Sequence, residues 1–368
     1  MVLLQERKNT AGCRDSEMSI KSEMSSGRNG FYYGFDYLRA IMPIGVVALH
    51  MEVFGRHTLH GPQEYRSHIF SLPDLINYQV LCLAVPIFFL VSLFLFSEKA
   101  HNNRGYFLRR AERLVYIYIF WLTLFILWRG GMHRMLPVYD VKHFVILVMS
   151  GGPSAFYFFF SLLFLTCIAF FALKLPRRIL WLFLAVSVML LWFMPYLVFR
   201  TDLYSSLVAA WNPANFLVYV FVAVLVSKYR AHSHFSPSLK SFRIMMLVLT
   251  LVFLSSSVFE WHWMVNERNF ASNQHIIPPY TRLSVAAGSS LIFLLSLYIS
   301  RPPASWIKFL SDYSLGLYCF HLFIIEMNDK IMSMLRLSAN IAVKFLMVLI
   351  VSYAFAYFAK RAFSKGLV

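Results

Sequence analysis

Twelve histidines are spread along the 368-residue chain, yet only His50 and His321 fall inside stretches apolar enough to lie in a membrane. An ionisable group in lipid is costly, so each such side chain is a candidate for function. Imidazole titrates near neutrality, and can take a proton from a hydroxyl and return it. Arg39 lies eleven residues before His50, which at about 1.5 Å per residue is roughly 16 Å along a helix and, at about 3.6 residues per turn, on the same face. A guanidinium near the helix start and an imidazole near mid-depth would line one path. Asp36, three residues before Arg39, is spaced to pair with it. A plainer reading stands beside this one: Arg39 snorkels to headgroups and His50 bonds to a neighbouring helix.

Two further groups have useful spacing. Arg109, Arg110 and Arg113 follow Lys99 and Arg104 at the start of an apolar run, with Glu112 among them. Arg110 and Arg113 share a helix face, and their planar forks match phosphate oxygens, although basic clusters also arise from membrane topology alone. Ser314, Tyr318 and His321 stand at i, i+4 and i+7, which aligns three hydrogen-bonding groups on one face. Such a face suits a site, or a polar seam between helices. Glu52 and the run Phe259-Glu260-Trp261-His262-Trp263 are weaker signals, since Trp at an interface is ordinary.

The elements that must position these groups follow from composition. The chain is 59% hydrophobic and 14% charged, against about 45–50% and about 25% in a soluble domain, so its solvent is a bilayer. Lys and Arg number 34 against 17 acidic residues, but they sit in short clusters between apolar runs. That pattern fits the basic loops of a membrane protein and disfavours nucleic-acid binding. Ten segments reach the roughly 20 apolar residues that a span needs, some marginally: 35 to 55, 78 to 97, 109 to 128, 154 to 173, 179 to 199, 211 to 227, 244 to 260, 283 to 300, 307 to 327 and 341 to 359. The short run from His143 to Met149 ends at Gly151-Gly152-Pro153-Ser154 and is expected at the interface. An all-α, polytopic membrane fold with about ten transmembrane helices is therefore predicted.

About twice as many basic residues fall on the side of the N-terminus, which predicts that both termini are cytoplasmic. The organisation expected is a polar, disordered cytoplasmic tail over 1–33, a membrane domain over 34–360 and a short basic cytoplasmic tail over 361–368. The first 33 residues carry no apolar core with a cleavage site, so no signal peptide is expected. Cys13, Cys82, Cys167 and Cys319 are far apart, and neither a disulfide framework nor a metal site is implied.

Taken in order, four segments resemble the integral-membrane acyltransferase family 3. FDYLRAIMPIGVVALH carries Asp36, Arg39 and His50; VPIFFLVSLFLF is similar to the family's second-helix signature; YFLRRAERLVYIYIFW resembles its basic third-helix start; SDYSLGLYCFH resembles its late Ser, Tyr and His motif. Two departures stand out. Ser92 is followed by Leu93 where the family has Gly, and Ala155-Phe156-Tyr157-Phe158 replaces a His-Leu-Trp-Phe segment.

The resemblance implies an O-acyltransferase, most often O-acetyl, of cell-envelope glycans in a bacterial inner membrane. It implies cytoplasmic acyl-CoA, acetyl-CoA above all, as co-substrate, its phosphates meeting Arg110 and Arg113 with Arg109 and Arg39 nearby. The acceptor would be a polymeric glycan, such as a lipopolysaccharide or exopolysaccharide, or a lipid-linked sugar. His50 is then the general base, or else a covalent carrier of the acyl group. Tyr318 and His321 would orient the acceptor or donate to the developing oxyanion, and Asp36 and Ser314 would be structural. Some relatives carry a fused extracytoplasmic domain; here direct transfer is expected. From the residues alone another class stays open: a proton-coupled transporter or channel of envelope precursors, with His50 and His321 as its relay.

Overall fold

The computed structural model describes residues 32–54, 72–103, 105–130, 141–152, 154–200, 208–231, 239–266, 277–335 and 340–362. The expected tails lie almost wholly outside these residues, as does Arg104. Among the described residues there are twelve α-helices of eight residues or more: α1 (Tyr33–His50), α2 (Ala84–Asn102), α3 (Gly105–Trp128), α4 (Val141–Ser150), α5 (Tyr157–Ala172), α6 (Arg177–Arg200), α7 (Leu217–Ala231), α8 (Leu239–Asn266), α9 (Leu283–Ser296), α10 (Ser305–Asp312), α11 (Ser314–Met334) and α12 (Ile341–Ala362). Each of the ten predicted spans has its helix. Five stretches, Leu72–Ala100, Gly105–Trp128, Arg177–Met194, Arg243–Met264 and Ile341–Ala362, are long and apolar enough to cross a bilayer by themselves. Outward-facing Leu182, Leu254, Val258 and Ile350 are exposed, as helices in lipid require.

Three boundaries differ from the sequence expectation. The first helix ends at His50 and not at 55; residues 51–54 form a turn in which Glu52 has φ +50°. The ninth predicted span is broken at Tyr313 into the short α10 and the long α11. The seventh runs on to Asn266, so His262 is also helical, though exposed.

Local sequence explains two irregular elements near the centre. Before α2 the chain is already helical from Leu72, but with a π turn over Ile76–Val80 and a 3-10 turn over Leu81–Leu83. Pro86 follows at once, and a proline cannot donate to the carbonyl four residues back. Between α4 and α5, Gly151 and Gly152 both have φ +67°, a left-handed conformation that glycine adopts without steric cost. The Ser154 hydroxyl closes the turn, donating to the Gly151 carbonyl (2.6 Å) and accepting from the Phe156 N–H (3.1 Å).

The central helix is α9, packed against α2 and α8. Its start, Leu283-Ser284-Val285-Ala286-Ala287-Gly288-Ser289-Ser290, is wholly buried, because small residues let helix backbones come close. At Gly34 of α1 an added Cβ would lie 1.9 Å from the Ser296 carbonyl oxygen of α9. The other side of the core is aromatic: Phe125 meets Phe156 and Phe323 edge to face, and Trp121 lies tilted against Phe156.

Contacts between helix ends define two ends of the bundle. At the lower end, where α1 starts, Tyr32 and Ser227 donate to Glu98 (3.0 and 3.2 Å). Burial, above all, pushes the Tyr32 phenol up to about 12. At the upper end, Arg129 after α3 pairs with Glu326 of α11, which also accepts from the Trp128 indole at 3.0 Å.

Candidate active site

The histidines predicted 271 positions apart in sequence meet in space. The His50 ring, at the end of α1, lies 5.3 Å from the His321 ring between centroids, at 37°. His50 is exposed, whereas His321 is fully buried. His321 Nδ1 is 2.6 Å from the Tyr318 carbonyl oxygen. A carbonyl only accepts, so Nδ1 carries the proton and, in neutral imidazole, Nε2 carries the lone pair. Nε2 is buried and has no hydrogen-bond partner among the described residues.

Tyr318 is buried three residues before His321 on the same helix. Its hydroxyl donates to the Ala155 carbonyl (2.5 Å), just before α5, so its proton is committed to holding α11 against the Gly151–Gly152 turn. Ser314, the first residue of α11, is half-buried and stands about 10 Å along the helix from His321.

Arg39 lies about three turns toward the lower end from His50, half-buried and without a side-chain hydrogen bond or ion pair among the described residues. Pro43 follows four residues later, so the Arg39 carbonyl also lacks its helical donor. The expected Asp36–Arg39 pair is corrected by the structure. The Asp36 carboxylate accepts from Ser311 (2.9 Å) and Lys308 (3.2 Å) of α10, and Lys308 also reaches Asp312 at 3.0 Å. Burial opposes the Lys308 charge, but its bonds to Asp312 and Asp36 outweigh this and hold its pKa above the ordinary lysine value. Asp36 and Asp312 still act on Arg39 through space.

The α3 arginines divide. Arg109 and Arg113 are exposed. Arg110 folds against α2, donating to the Ser92 hydroxyl (2.7 Å) and carbonyl (3.2 Å) and lying over the Phe96 ring. Both Arg113 and Arg39 act electrostatically on Arg110. Arg39, near the start of α1, and the arginines near the start of α3 thus lie toward the same lower end of the bundle. Ser92, the residue followed by Leu93 where the resemblance expects Gly, is the one that seats Arg110.

A polar network at the upper end escapes sequence reasoning. Arg282, which reads as a loop residue, is fully buried. It donates to the Gln79 side chain (3.3 Å) and the Tyr78 carbonyl, and lies over Trp261. The same Gln79 oxygen accepts from Trp261 (3.2 Å), and buried Glu260 accepts from the Ser284 N–H (3.0 Å) and hydroxyl. The available signal was Glu260 itself, a carboxylate at the end of an apolar run. Among the described residues no group of His, Cys, Asp and Glu could hold a metal.

A family model described as an acyltransferase domain, that of acyltransferase family 3, matches residues 32–360. The chain belongs to this family. No curated protein and no solved structure matches it. The molecule is thus a multi-pass membrane acyltransferase, which decides between the enzyme and transporter classes left open by the residues. The matched range of this acyltransferase includes His50, His321, Arg39 and the α3 arginines.

Proposed function

We propose that this acyltransferase moves an acyl group, acetyl above all, from cytoplasmic acyl-CoA to a hydroxyl of a bacterial cell-envelope glycan or lipid-linked sugar. The observation that carries the reading is the His50–His321 pair at the head of the Arg39 face of α1. In this reading the lower end faces the cytoplasm of a bacterial inner membrane. Exposed Arg113 and Arg109, with the unpaired Arg39 and the remaining donors of Arg110, hold the phosphates of the donor. The thioester arm lies along α1, and the reacting carbonyl comes to His50.

There the His50 imidazole takes the proton as the acceptor oxygen attacks the thioester carbonyl. A C–O bond forms, the C–S bond breaks, and the proton passes from His50 to the departing thiolate. His321 is fixed by its Nδ1–H bond with its ring 5.3 Å from that of His50, which suits a positioning role. Asp36 steadies the start of α1 through α10, and Tyr318 steadies α11. The exposure of His50 favours a base that meets both substrates.

The test is the mass of envelope glycans from a host lacking the protein, expressing either the parent or His50→Ala at equal membrane levels. An acetyl-sized increment with the parent, absent with the variant, supports the reading. The increment persisting in the variant removes His50 from the chemistry, and no increment in either removes the acceptor class.

A further inference from the structure

The lower half of α12 does not close onto α1. Between them, beside the short α10, runs a groove of about 600 Å³ walled by Ile44, Phe309, Leu310, Leu349, Tyr353 and Tyr357, with almost no polar surface. Its α12 wall runs from Leu346 to Phe358, about 18 Å at 1.5 Å per residue, over half of a hydrocarbon core about 30 Å thick. At its mouth α10 turns Trp306 and Phe309 outward (65% and 42% exposed) while Lys308 binds Asp36 and Asp312, the two-faced character of a helix lying in a membrane interface. The mouth therefore sits at headgroup depth.

The rim there is basic. Arg361 stacks on Tyr357, a wall residue, at 4.3 Å. A guanidinium carries five N–H donors, more than one anion needs. Beside it Lys360 is exposed, 4.7 Å over the Tyr313 ring, with a bond to the Asp312 carbonyl.

We infer that this groove holds an acyl chain of an anionic phospholipid whose phosphate rests on Arg361 and Lys360. An acyl chain of the donor does not fit the position. At about 100° per residue, Ile44 points roughly 120–140° away from Arg39 and His50 around α1. The groove thus opens behind the transfer face, and the lipid packs α1 from the rear. The inference does not rest on the identity of the acyl acceptor.

The test is native mass spectrometry of the detergent-purified full chain incubated with phosphatidylglycerol or phosphatidylcholine of the same acyl chains. The parent should retain phosphatidylglycerol in preference. Each basic rim residue near a membrane surface weighs about fivefold in affinity, so the Lys360→Gln/Arg361→Gln pair should lower retention by about 25-fold. Arg178→Gln, an exposed arginine at the start of α6, should change nothing. Ala354→Phe, which fills the groove, should abolish retention of both lipids, and Leu349→Trp serves should that protein fail to fold. Equal retention of the two lipids by the parent, undiminished phosphatidylglycerol on a folded groove-filled variant, or an equal loss with Arg178→Gln would each overturn the inference.

Discussion

Replacing Gly34 by Ala should do far more damage than replacing Gly45, eleven residues later on the same helix. A Cβ at Gly34 would meet Ser296 of α9 at 1.9 Å from its oxygen, 2.6 Å from its carbonyl carbon and 2.9 Å from its Cα. All three are backbone atoms, so no side chain can swing aside. To restore an ordinary 3.4 Å contact, α1 and α9 must part by about 1.5 Å. Overpacking of this kind costs about 1–3 kcal/mol or more, against the gain of about 1 kcal/mol that Ala brings over Gly within a helix. At the upper end of that range, where a parting of backbones belongs, the net for Gly34→Ala is a loss of roughly 2 kcal/mol. At Gly45 the added carbon meets only the Leu81 Cδ2 at 3.5 Å, so the helical gain stands, and that variant should match or slightly exceed the parent. Thermal unfolding in detergent reads the first effect. Acyl transfer per folded molecule reads the second, because a shift of about 1 Å at a reacting or binding group costs about 100-fold. Arg39, five residues from Gly34, should feel it more than His50, so KM for the donor should rise more than kcat falls. Equal melting of the two variants would refute the close α1–α9 seam.

Other consequences follow from the same geometry. Tyr318→Phe leaves the Ala155 carbonyl without its donor and should cost about 1–3 kcal/mol of stability, while the folded fraction keeps its transfer rate; a folded but inactive protein would instead place the phenol in the chemistry. Arg282→Leu should destabilise the upper end by about 2 kcal/mol or more, since the Tyr78 carbonyl and Gln79 lose a buried donor, and hydrogen exchange should report this first at the start of α9. Arg113→Ala should raise KM for acyl-CoA about tenfold or more, the weight of one charge-assisted bond, with kcat held. Ser92→Ala, which unseats Arg110, should raise it less, and the order of the two effects is the check.

Much of this was legible before any coordinates. Apolar runs in lipid must be helical, so the spans and the broken run after Met149 could be read directly, and the rarity of ionisable groups in lipid singled out His50 and His321. What periodicity cannot show is a partner on another helix. Asp36 has an arginine one turn away, yet it binds Lys308 and Ser311, more than 270 residues on. Arg282 follows Pro278-Pro279-Tyr280-Thr281 and reads as a loop; only its pairing with Gln79, 203 positions earlier, reveals it as core. Arg110 looked free for phosphate until Ser92 came beside it. Helix ends were equally hidden: α1 stops at His50 although Met51, Val53 and Phe54 keep the run apolar.

The central claim is that transfer happens at His50, and the rate of transfer is its most direct test. Parent and His50→Ala, purified to equal folded amounts and reconstituted in vesicles, would be given acetyl-CoA labelled in the acetyl group and a lipid-linked sugar, with labelled product counted over time. Losing a general base removes about 100- to 10,000-fold in rate, and the account predicts a fall of that size with donor binding retained. A variant that transfers label within tenfold of the parent would contradict it.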